Sequence, residues 1–222
     1  MRIIIVNGSP RKGGATAQIL HKIEKLLIQG GVEVDFVNIS ELNIQPCYGC
    51  SACYKTGFCY IKDDAEELSE KIAASQGIII GSPTYASNIS GSLKTFIDRG
   101  HFVIEQLLYK KYAISVVTGE NYGSRDASKI LTKLLKYSGS KISGKIVCNL
   151  PFNSSIDNFK KIEKRTSLLA DKILRDINNQ TPYKFQSFIH KIVFSFGIRP
   201  FVKKKGKDYL GVTTRWSNLG LN

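Results

Sequence analysis

Two uninterrupted apolar runs most strongly constrain how this chain can fold. Residues 2–6 read RIIIV and residues 77–81 read GIIIG. Runs of β-branched residues without polar alternation are typical of strands that are buried on both faces of a sheet. Further strand patterns follow at 32–39, 112–118 and 145–150. Because helical segments separate all of them, the sequence predicts an α/β fold with a doubly wound, five-stranded parallel sheet.

The helices are predicted from apolar residues that recur every three or four positions. The first occupies residues 15–29 and ends at Gly30 and Gly31, and Asp63 and Asp64 can cap the helix that follows the second strand. Later helices are predicted over residues 93–105, 124–137 and 159–173.

Charge is unevenly distributed along the chain, whose formal net charge is +14. We assign residues 1–180 to one domain and residues 181–222 to a helical, basic C-terminal extension that is not an independent domain. From residue 184 onward there are eight Lys or Arg and one acidic residue, which favours anionic partners. Neither a signal-peptide pattern nor an apolar run of about 18 residues is present, so we expect a cytoplasmic protein without a membrane span.

The loop after the first strand predicts a phosphate site. It reads NGSPRKGGAT over residues 7–16 and combines small residues, the hydroxyls of Ser9 and Thr16, and the charges of Arg11 and Lys12 before a helix N-terminus. A nucleotide-hydrolysing loop would end in Gly-Lys-Ser/Thr, and the dinucleotide fingerprint needs G-x-G-x-x-G, so neither motif fits. The alternative is a Gly-rich turn without a ligand.

Two further loops leave the same edge of the predicted sheet. GSPTYASNISGSLKTFIDR follows the third strand over residues 81–99, and TGENYGSR follows the fourth over residues 118–125. Ligands of doubly wound sheets bind beyond the carboxyl ends of the strands. A planar heterocycle lying against these loops would contact Tyr85 and neighbouring backbone amides.

The three loops resemble the FMN-binding loops of flavodoxin-like NADPH-dependent FMN reductases. The resemblance covers roughly residues 1–178 and implies a flavodoxin-like sheet with strand order 2-1-3-4-5, one FMN per subunit, and homodimers or homotetramers. The family often has Asn or Ser where this chain has Ala15, so a side-chain contact is absent there. The resemblance places the FMN phosphate at Ser9, Arg11, Ala15 and Thr16, the flavin ring along Pro83, Thr84, Tyr85 and Asn88, and its far edge at Thr118 and Gly119.

Four of the five cysteines lie in CYGCSACYKTGFC, residues 47–59. Cys47, Cys50, Cys53 and Cys59 have the spacing C-x2-C-x2-C-x5-C, which resembles a ferredoxin ligand run and favours one [4Fe-4S] cluster. Structural zinc usually draws its ligands from two separated pairs, and overlapping pairs would compete in forming disulfides. The alternative is a set of free thiols without a metal.

This spacing also resembles the cysteine motif of the iron–sulfur flavoproteins, a branch of the same FMN family. The cysteine loop follows the second strand, which places it at the edge of the sheet that carries the flavin loops. The combination predicts an oxidoreductase that passes electrons between a [4Fe-4S] cluster and FMN, with no catalytic side chain assigned. The resemblance implies ferredoxin or NAD(P)H as the donor and oxygen, peroxide or a quinone as the acceptor, and the residues do not choose among them.

Two alternatives belong to other classes of protein. The first is a cluster-free NAD(P)H-dependent FMN or quinone reductase that works by hydride transfer. The second is a non-enzymatic module that binds nucleic acid or a membrane through its basic end. The chain contains no recognisable nucleic-acid-binding fold, which disfavours nucleic acid as a partner.

The C-terminal extension carries an apolar stripe at helical spacing, formed by Phe185, Phe188, Ile192 and Phe196. We expect this stripe to pack on the chain's own sheet or, in preference, on a neighbouring subunit. Lysines beyond it would form a rim for an acidic electron-transfer protein such as ferredoxin, and these are Lys203, Lys204, Lys205 and Lys207.

Several residues near these motifs are expected to have structural roles only. Cys148 lies in a predicted strand and is interpreted as an inert core thiol. Asp98 and Arg99 are expected to anchor the end of the helix that precedes them, and His101 to cap or pack against it.

Overall fold

A computed structural model describes residues 1–221 and shows the predicted parallel sheet. Its strands are β1 (Arg2–Asn7), β2 (Glu33–Asn38), β3 (Gly77–Pro83), β4 (Tyr112–Gly119) and β5 (Lys141–Asn149). They lie in the order β2-β1-β3-β4-β5, which confirms the flavodoxin-like fold and its strand order. The two uninterrupted apolar runs are adjacent at the centre, where Ile4 pairs with Ile78 and Val6 with Ile80.

Helices cover both faces of this sheet. They are α1 (Ala15–Gln29), α2 (Ala52–Thr56), α3 (Asp64–Ala74), α4 (Gly91–Arg99), α5 (Ser124–Tyr137), α6 (Lys160–Asn178), α7 (Lys184–Val193), α8 (Arg199–Lys205) and α9 (Leu210–Leu219). Ile3 and Ile5 pack with α1 and α6 on one face. Ile4 and Val6 pack with α3, α4 and α5 on the other. Burial on both faces is the reason why β1 has no polar alternation.

The prediction of a helix over residues 93–105 is wrong at its C-terminal end, because α4 ends at Arg99. Gly100 follows, and His101 has a left-handed backbone with φ of 57°. The reversal lets Phe102 pack edge-on against Phe96, with ring centroids 5.5 Å apart. The apolar residues beyond the turn therefore pack back on the helix instead of extending it.

The fifth strand begins earlier than the predicted residue 145. Lys141 already pairs with Tyr112, and the register shifts after Ala113. The first part of β5 was not predicted, because the pair Ser143-Gly144 has the composition of a turn. Gly144 packs closely on α6, since a Cβ there would lie 2.4 Å from a terminal methyl of Leu169 and would displace it.

The C-terminal extension forms a helical layer with a small apolar core. A π-helical turn, Phe194–Ile198, joins α7 to α8. Trp216 of α9 packs edge-on against Phe194 at 4.8 Å, and its indole N–H donates to the Ile104 carbonyl at 2.9 Å. The extension is thus packed on the main body of the protein.

Among the described helices, none combines the length and the apolarity that crossing a membrane requires.

The predicted apolar stripe of the extension does not pack on the sheet of its own chain. The exposed fractions of its side chains are 74% for Phe185, 60% for Phe188, 42% for Ile192 and 82% for Phe196. That half of the packing prediction is wrong, because α7 and the π-helical turn bury the opposite side of the helix, including Phe194 and Ile198. The alternative, a neighbouring subunit, stays a prediction.

Candidate functional site

A cleft of about 320 Å³ opens at the carboxyl ends of the strands. Its volume falls within the range of small-molecule sites, roughly 300–1,000 Å³. The segments after β1, β3, β4 and β5 all contribute to it. It is lined by nine of the ten residues predicted for FMN, which are Ser9, Arg11, Ala15, Thr16, Pro83, Thr84, Tyr85, Thr118 and Gly119.

The first loop folds into a tight turn that presents the N-terminus of α1 to the cleft. The Arg11 N–H donates to Ser9 Oγ at 3.2 Å, and the Gly14 N–H donates to the Arg11 carbonyl at 3.0 Å. Within the described chain, α1 has neither a side-chain cap nor an acidic residue in its first turn. Its backbone donors and partial positive charge are therefore directed at the cleft, which fits an anionic group such as phosphate.

Buried hydrogen bonds connect the loops after β1, β3 and β4 at the base of the cleft. Thr16 Oγ1 and Thr118 Oγ1 are 2.7 Å apart, and the Thr84 N–H donates to the Thr118 carbonyl at 2.7 Å. A Cβ at Gly119 would lie 2.2 Å from Ser124 Oγ, so a larger residue there would displace the Ser124 hydroxyl. The ends of β3 and β4 and the start of α1 are consequently fixed relative to one another.

Asn88, the tenth predicted residue, closes a turn beside the cleft and is not among the residues that line it. Tyr85 and Asn88 exchange two backbone hydrogen bonds of 2.9 Å. Ala86 and Ser87 between them have φ of 47° and 60°, as in a type I′ turn. The turn leaves Tyr85 47% exposed at the cleft wall.

Sequence reasoning missed the segment after β5, residues 150–154, which forms another wall of the cleft. The Arg11 guanidinium lies 4.3 Å from the centre of the Phe152 ring and also donates to Asn153. The rule that ligands bind at carboxyl ends applies to β5 as well and could have indicated this segment.

The cysteine loop leaves the end of β2 and carries free thiols throughout. Cys47 and Cys50 are exposed, whereas Cys53, on the short helix α2, and Cys59 are partly buried. Burial, followed by the charges of Glu105 and Cys59, raises the pKa of Cys53 to about 12. This thiol is therefore protonated in the metal-free chain, and a metal would bind with release of a proton.

Arg99 connects both ends of the cysteine loop. Its Nη1 donates to the Gln45 carbonyl at 3.0 Å and pairs with Asp63, while Nη2 donates to Cys59 Sγ at 3.3 Å and the Ile61 carbonyl at 3.1 Å. Burial opposes both charges, but the mutual hydrogen bond raises the pKa of Arg99 and lowers that of Asp63. Nε of Arg99 is buried without a hydrogen-bond partner among residues 1–221.

His101 lies near the thiols, between two carboxylates. Its Nδ1 lies 3.0 Å from Glu105 and its Nε2 lies 3.0 Å from Glu66. Because both ring nitrogens contact carboxylates, the arrangement favours the doubly protonated form of the ring. Burial opposes this charge, but the hydrogen bonds to the two glutamates outweigh it and raise the pKa.

The His101 ring lies close to one thiol of the loop. The ligand atoms of Cys53, His101 and Glu105 are all within 4.8 Å of one another, which is also the size of a site for a single metal ion. Such an ion would have to displace one of the two hydrogen bonds of His101. Sequence reasoning gave Arg99 and His101 structural roles only, because their neighbours come from distant parts of the chain.

The C-terminal extension packs against the cysteine loop. The rings of Tyr54 and Tyr209 stack at 4.7 Å, and Arg215 donates to the Gly57 carbonyl at 2.6 Å. The two backbones touch, since a Cβ at Gly211 would lie 2.1 Å from the Gly57 nitrogen. The extension and the cysteine loop are therefore packed as one unit.

Fold and cleft together define a flavodoxin-like protein with a cofactor site at the carboxyl edge of its sheet. The NADPH-dependent FMN reductase family model matches residues 1–152. The chain belongs to this family, in its iron–sulfur flavoprotein branch, and is an FMN-dependent oxidoreductase. This assignment excludes the non-enzymatic binding module considered above.

Several iron–sulfur flavoproteins are similar to this chain, and the matches cover different fractions of it. An iron–sulfur flavoprotein of Clostridioides difficile is 33% identical over 227 residues, covering 100% of both chains. One from Archaeoglobus fulgidus is 35% identical over 61% of this chain and 63% of its own length. One from Methanosarcina thermophila is 39% identical, and the match spans about half of each chain, 45% of this one and 52% of the relative.

Solved structures support the fold alone, because their sequence identities are low. An NADH:FMN oxidoreductase in its apo form has a TM-score of 0.58 at 16% identity, covering 78% of this chain and 87% of its own. A flavodoxin of Streptococcus pneumoniae has a TM-score of 0.54 at 14% identity, covering 78% and 98%.

Proposed function

We propose that this oxidoreductase holds a [4Fe-4S] cluster on Cys47, Cys50, Cys53 and Cys59 and passes electrons between the cluster and FMN. The observation that carries the proposal is the position of four free thiols on one loop at the edge of the sheet that also carries the flavin cleft. Lys12 of the first flavin loop pairs with Glu41, which lies between β2 and the cysteines. An ion pair at the surface thus connects the loop after β1 with the segment that leads from β2 to the cysteines.

The cleft residues would hold FMN in two parts. The N-terminus of α1, with Ser9, Arg11 and Thr16 around it, would bind the phosphate. Tyr85 and the loop containing Thr118 and Gly119 would contact the flavin ring. Asn88 would act through the turn that positions Tyr85, since its backbone closes that turn.

The cysteine loop fits a cluster in the chemistry of its donors. Four thiolates match the ligand requirement of a [4Fe-4S] cluster. Arg99 already donates to Cys59 Sγ and has a further buried donor, Nε, without a partner in the described chain. The charge of Arg99 is paired with Asp63, so its contribution to this fit is the hydrogen bond to Cys59 Sγ and not a net positive charge.

With both groups bound, FMN would exchange two electrons for single ones and the cluster would carry one at a time. The cleft residues and the cysteine loop would bind and orient these groups and exclude water from part of their surroundings. We propose ferredoxin or NAD(P)H as the donor and a small molecule such as oxygen, peroxide or a quinone as the acceptor. The alternative is a cluster-free reductase that accepts hydride from NAD(P)H, and iron in anaerobically purified protein separates the two.

Removing the phosphate contacts is expected to weaken FMN binding. Arg11→Ala and Thr16→Val would each delete a hydrogen bond to a charged group, worth about 1.5–3 kcal/mol, so the Kd for FMN rises roughly ten- to hundredfold. The measurement is a fluorescence titration of deflavinated protein with FMN.

Lys25→Ala is the matched control for Arg11→Ala, because Lys25 is an exposed cation of α1 outside the cleft lining. It should leave the Kd unchanged. Equal Kd values for Arg11→Ala and wild type would contradict the phosphate assignment, and the absence of any FMN binding by wild type would overturn the cleft assignment.

The exposed stripe of the extension supports a homodimer or homotetramer. Four neighbouring apolar side chains on one helix face form a patch of the kind that partner subunits cover. We propose that a second copy covers them and that the exposed lysines, Lys203, Lys204, Lys205 and Lys207, form a rim for an acidic electron-transfer protein such as ferredoxin. We further propose that residues 181–222 are not an independent domain.

Charging the stripe is expected to dissociate the assembly. In Phe188→Lys/Phe196→Lys the two rings that are 60% and 82% exposed become cations, which an apolar interface cannot bury unpaired. Light scattering should show a smaller particle than wild type. Leu168→Lys, on α6 and 54% exposed, is the control and should keep the wild-type mass. A monomeric wild type, or a double variant of unchanged mass, would contradict this interface.

A further inference from the structure

Arg99 makes a contact that neither helix anchoring nor flavin binding explains. Its side chain, only 1% exposed, directs Nη2 at Cys59 Sγ, 3.3 Å away. The same guanidinium holds the chain before the first cysteine through the Gln45 carbonyl and after the last through the Ile61 carbonyl. The charge is therefore fixed in position at the sulfur.

The partners of Arg99 show why arginine is needed there. Nη1 is occupied by Asp63, whose side chain is only 2% exposed and which also accepts the Gln45 and Ala65 N–H groups at 2.8 and 3.1 Å. Asp63 caps α3 and thereby holds the guanidinium plane. Lysine could keep the ion pair with Asp63, but a single ammonium has no planar fork to reach the carboxylate, both carbonyls and the sulfur together.

We infer that Arg99 is a positioning residue of the cysteine site, which makes the reduction potential of a cluster bound there less negative by donating a charged N–H···S hydrogen bond to Cys59. This inference rests on the proposed cluster. One-electron reduction adds a negative charge to a cluster and its thiolates, and hydrogen bonds to the sulfurs stabilise the more negative state. Nε, buried and unpaired among residues 1–221, is a second donor on the same group.

The test compares conservative substitutions of two arginines that contact the cysteine loop, one from α4 and one from α9. Arg99→Lys removes the fork that reaches the sulfur, whereas Arg215→Lys alters an arginine that holds the same loop through the Gly57 carbonyl at 2.6 Å. Each protein is reconstituted anaerobically, and the midpoint potentials of the cluster and of FMN are measured by electron paramagnetic resonance and absorbance during a redox titration.

We expect Arg99→Lys to shift the cluster potential to a more negative value, with the FMN potential unchanged, and Arg215→Lys to leave both at wild-type values. Equal cluster potentials in wild type and Arg99→Lys would overturn the inference, and so would equal shifts in the two variants, which would indicate general loosening. If Arg99→Lys takes up no iron, the neutral pair Arg99→Gln/Asp63→Asn replaces it, with the same expected direction and the same contradicting result. A wild type without iron would refute the proposed function itself.

Discussion

Replacing any one of Cys47, Cys50, Cys53 and Cys59 by serine is expected to abolish or degrade the cluster while FMN stays bound. Each cysteine would supply one thiolate, so each substitution leaves one iron without its ligand, and serine is a poorer ligand for iron than a thiolate. Iron should fall from about four per subunit towards zero. The flavin cleft is built from other loops and should keep its FMN. Iron, sulfide and FMN are measured per subunit after anaerobic reconstitution.

Cys148→Ser is the matched control for this series. Cys148 lies in β5, outside the loop that carries the other four thiols, and burial raises the pKa of its thiol to about 11. Its variant should contain as much iron as wild type. Full iron content in any one of the four loop variants would remove that cysteine from the ligand set.

A single methyl group at Gly211 is expected to separate the extension from the cysteine loop. In Gly211→Ala the new Cβ would meet the Gly57 nitrogen at 2.1 Å and the Thr56 carbonyl carbon at 2.8 Å. Backbone atoms cannot move aside as a flexible side chain can, so we expect a loss of about 1–3 kcal/mol in the free energy of unfolding, as for other overpacked sites. Urea denaturation measures the stability, and anaerobic iron analysis should show reduced cluster content.

Gly197→Ala in the same extension provides the control. A Cβ at Gly197 would find no atom within 4 Å, and this glycine lies in the π-helical turn. Because alanine is the better helix former, the control should be as stable as wild type or slightly more stable. Equal stabilities for Gly211→Ala and Gly197→Ala would show that the extension does not support the loop.

The sheet and its helices could be predicted from the sequence because their signals are local. Uninterrupted apolar runs marked β1 and β3, and helical periodicity gave α1 and α5 their observed bounds. The end of α4 could not be predicted in this way. It is fixed by the reversal at His101, whose side chain is held by Glu66 from a different helix, 35 positions away.

The flavin cleft was largely predictable because strand ends and loop composition indicate it directly. Phe152 was missed because the segment after β5 has no glycine-rich signal. The surroundings of the cysteines needed the tertiary structure, since Arg215 reaches Gly57 across 158 positions of sequence. The cysteine spacing alone therefore indicated the ligands but not the groups that surround them.

The most direct test of the central proposal is the iron, acid-labile sulfide and FMN content of the wild-type protein, purified and reconstituted without oxygen. The proposal predicts about four iron, about four sulfide and one FMN per subunit. Protein with a full complement of FMN but no iron after reconstitution would contradict it and leave a cluster-free flavin reductase with free thiols.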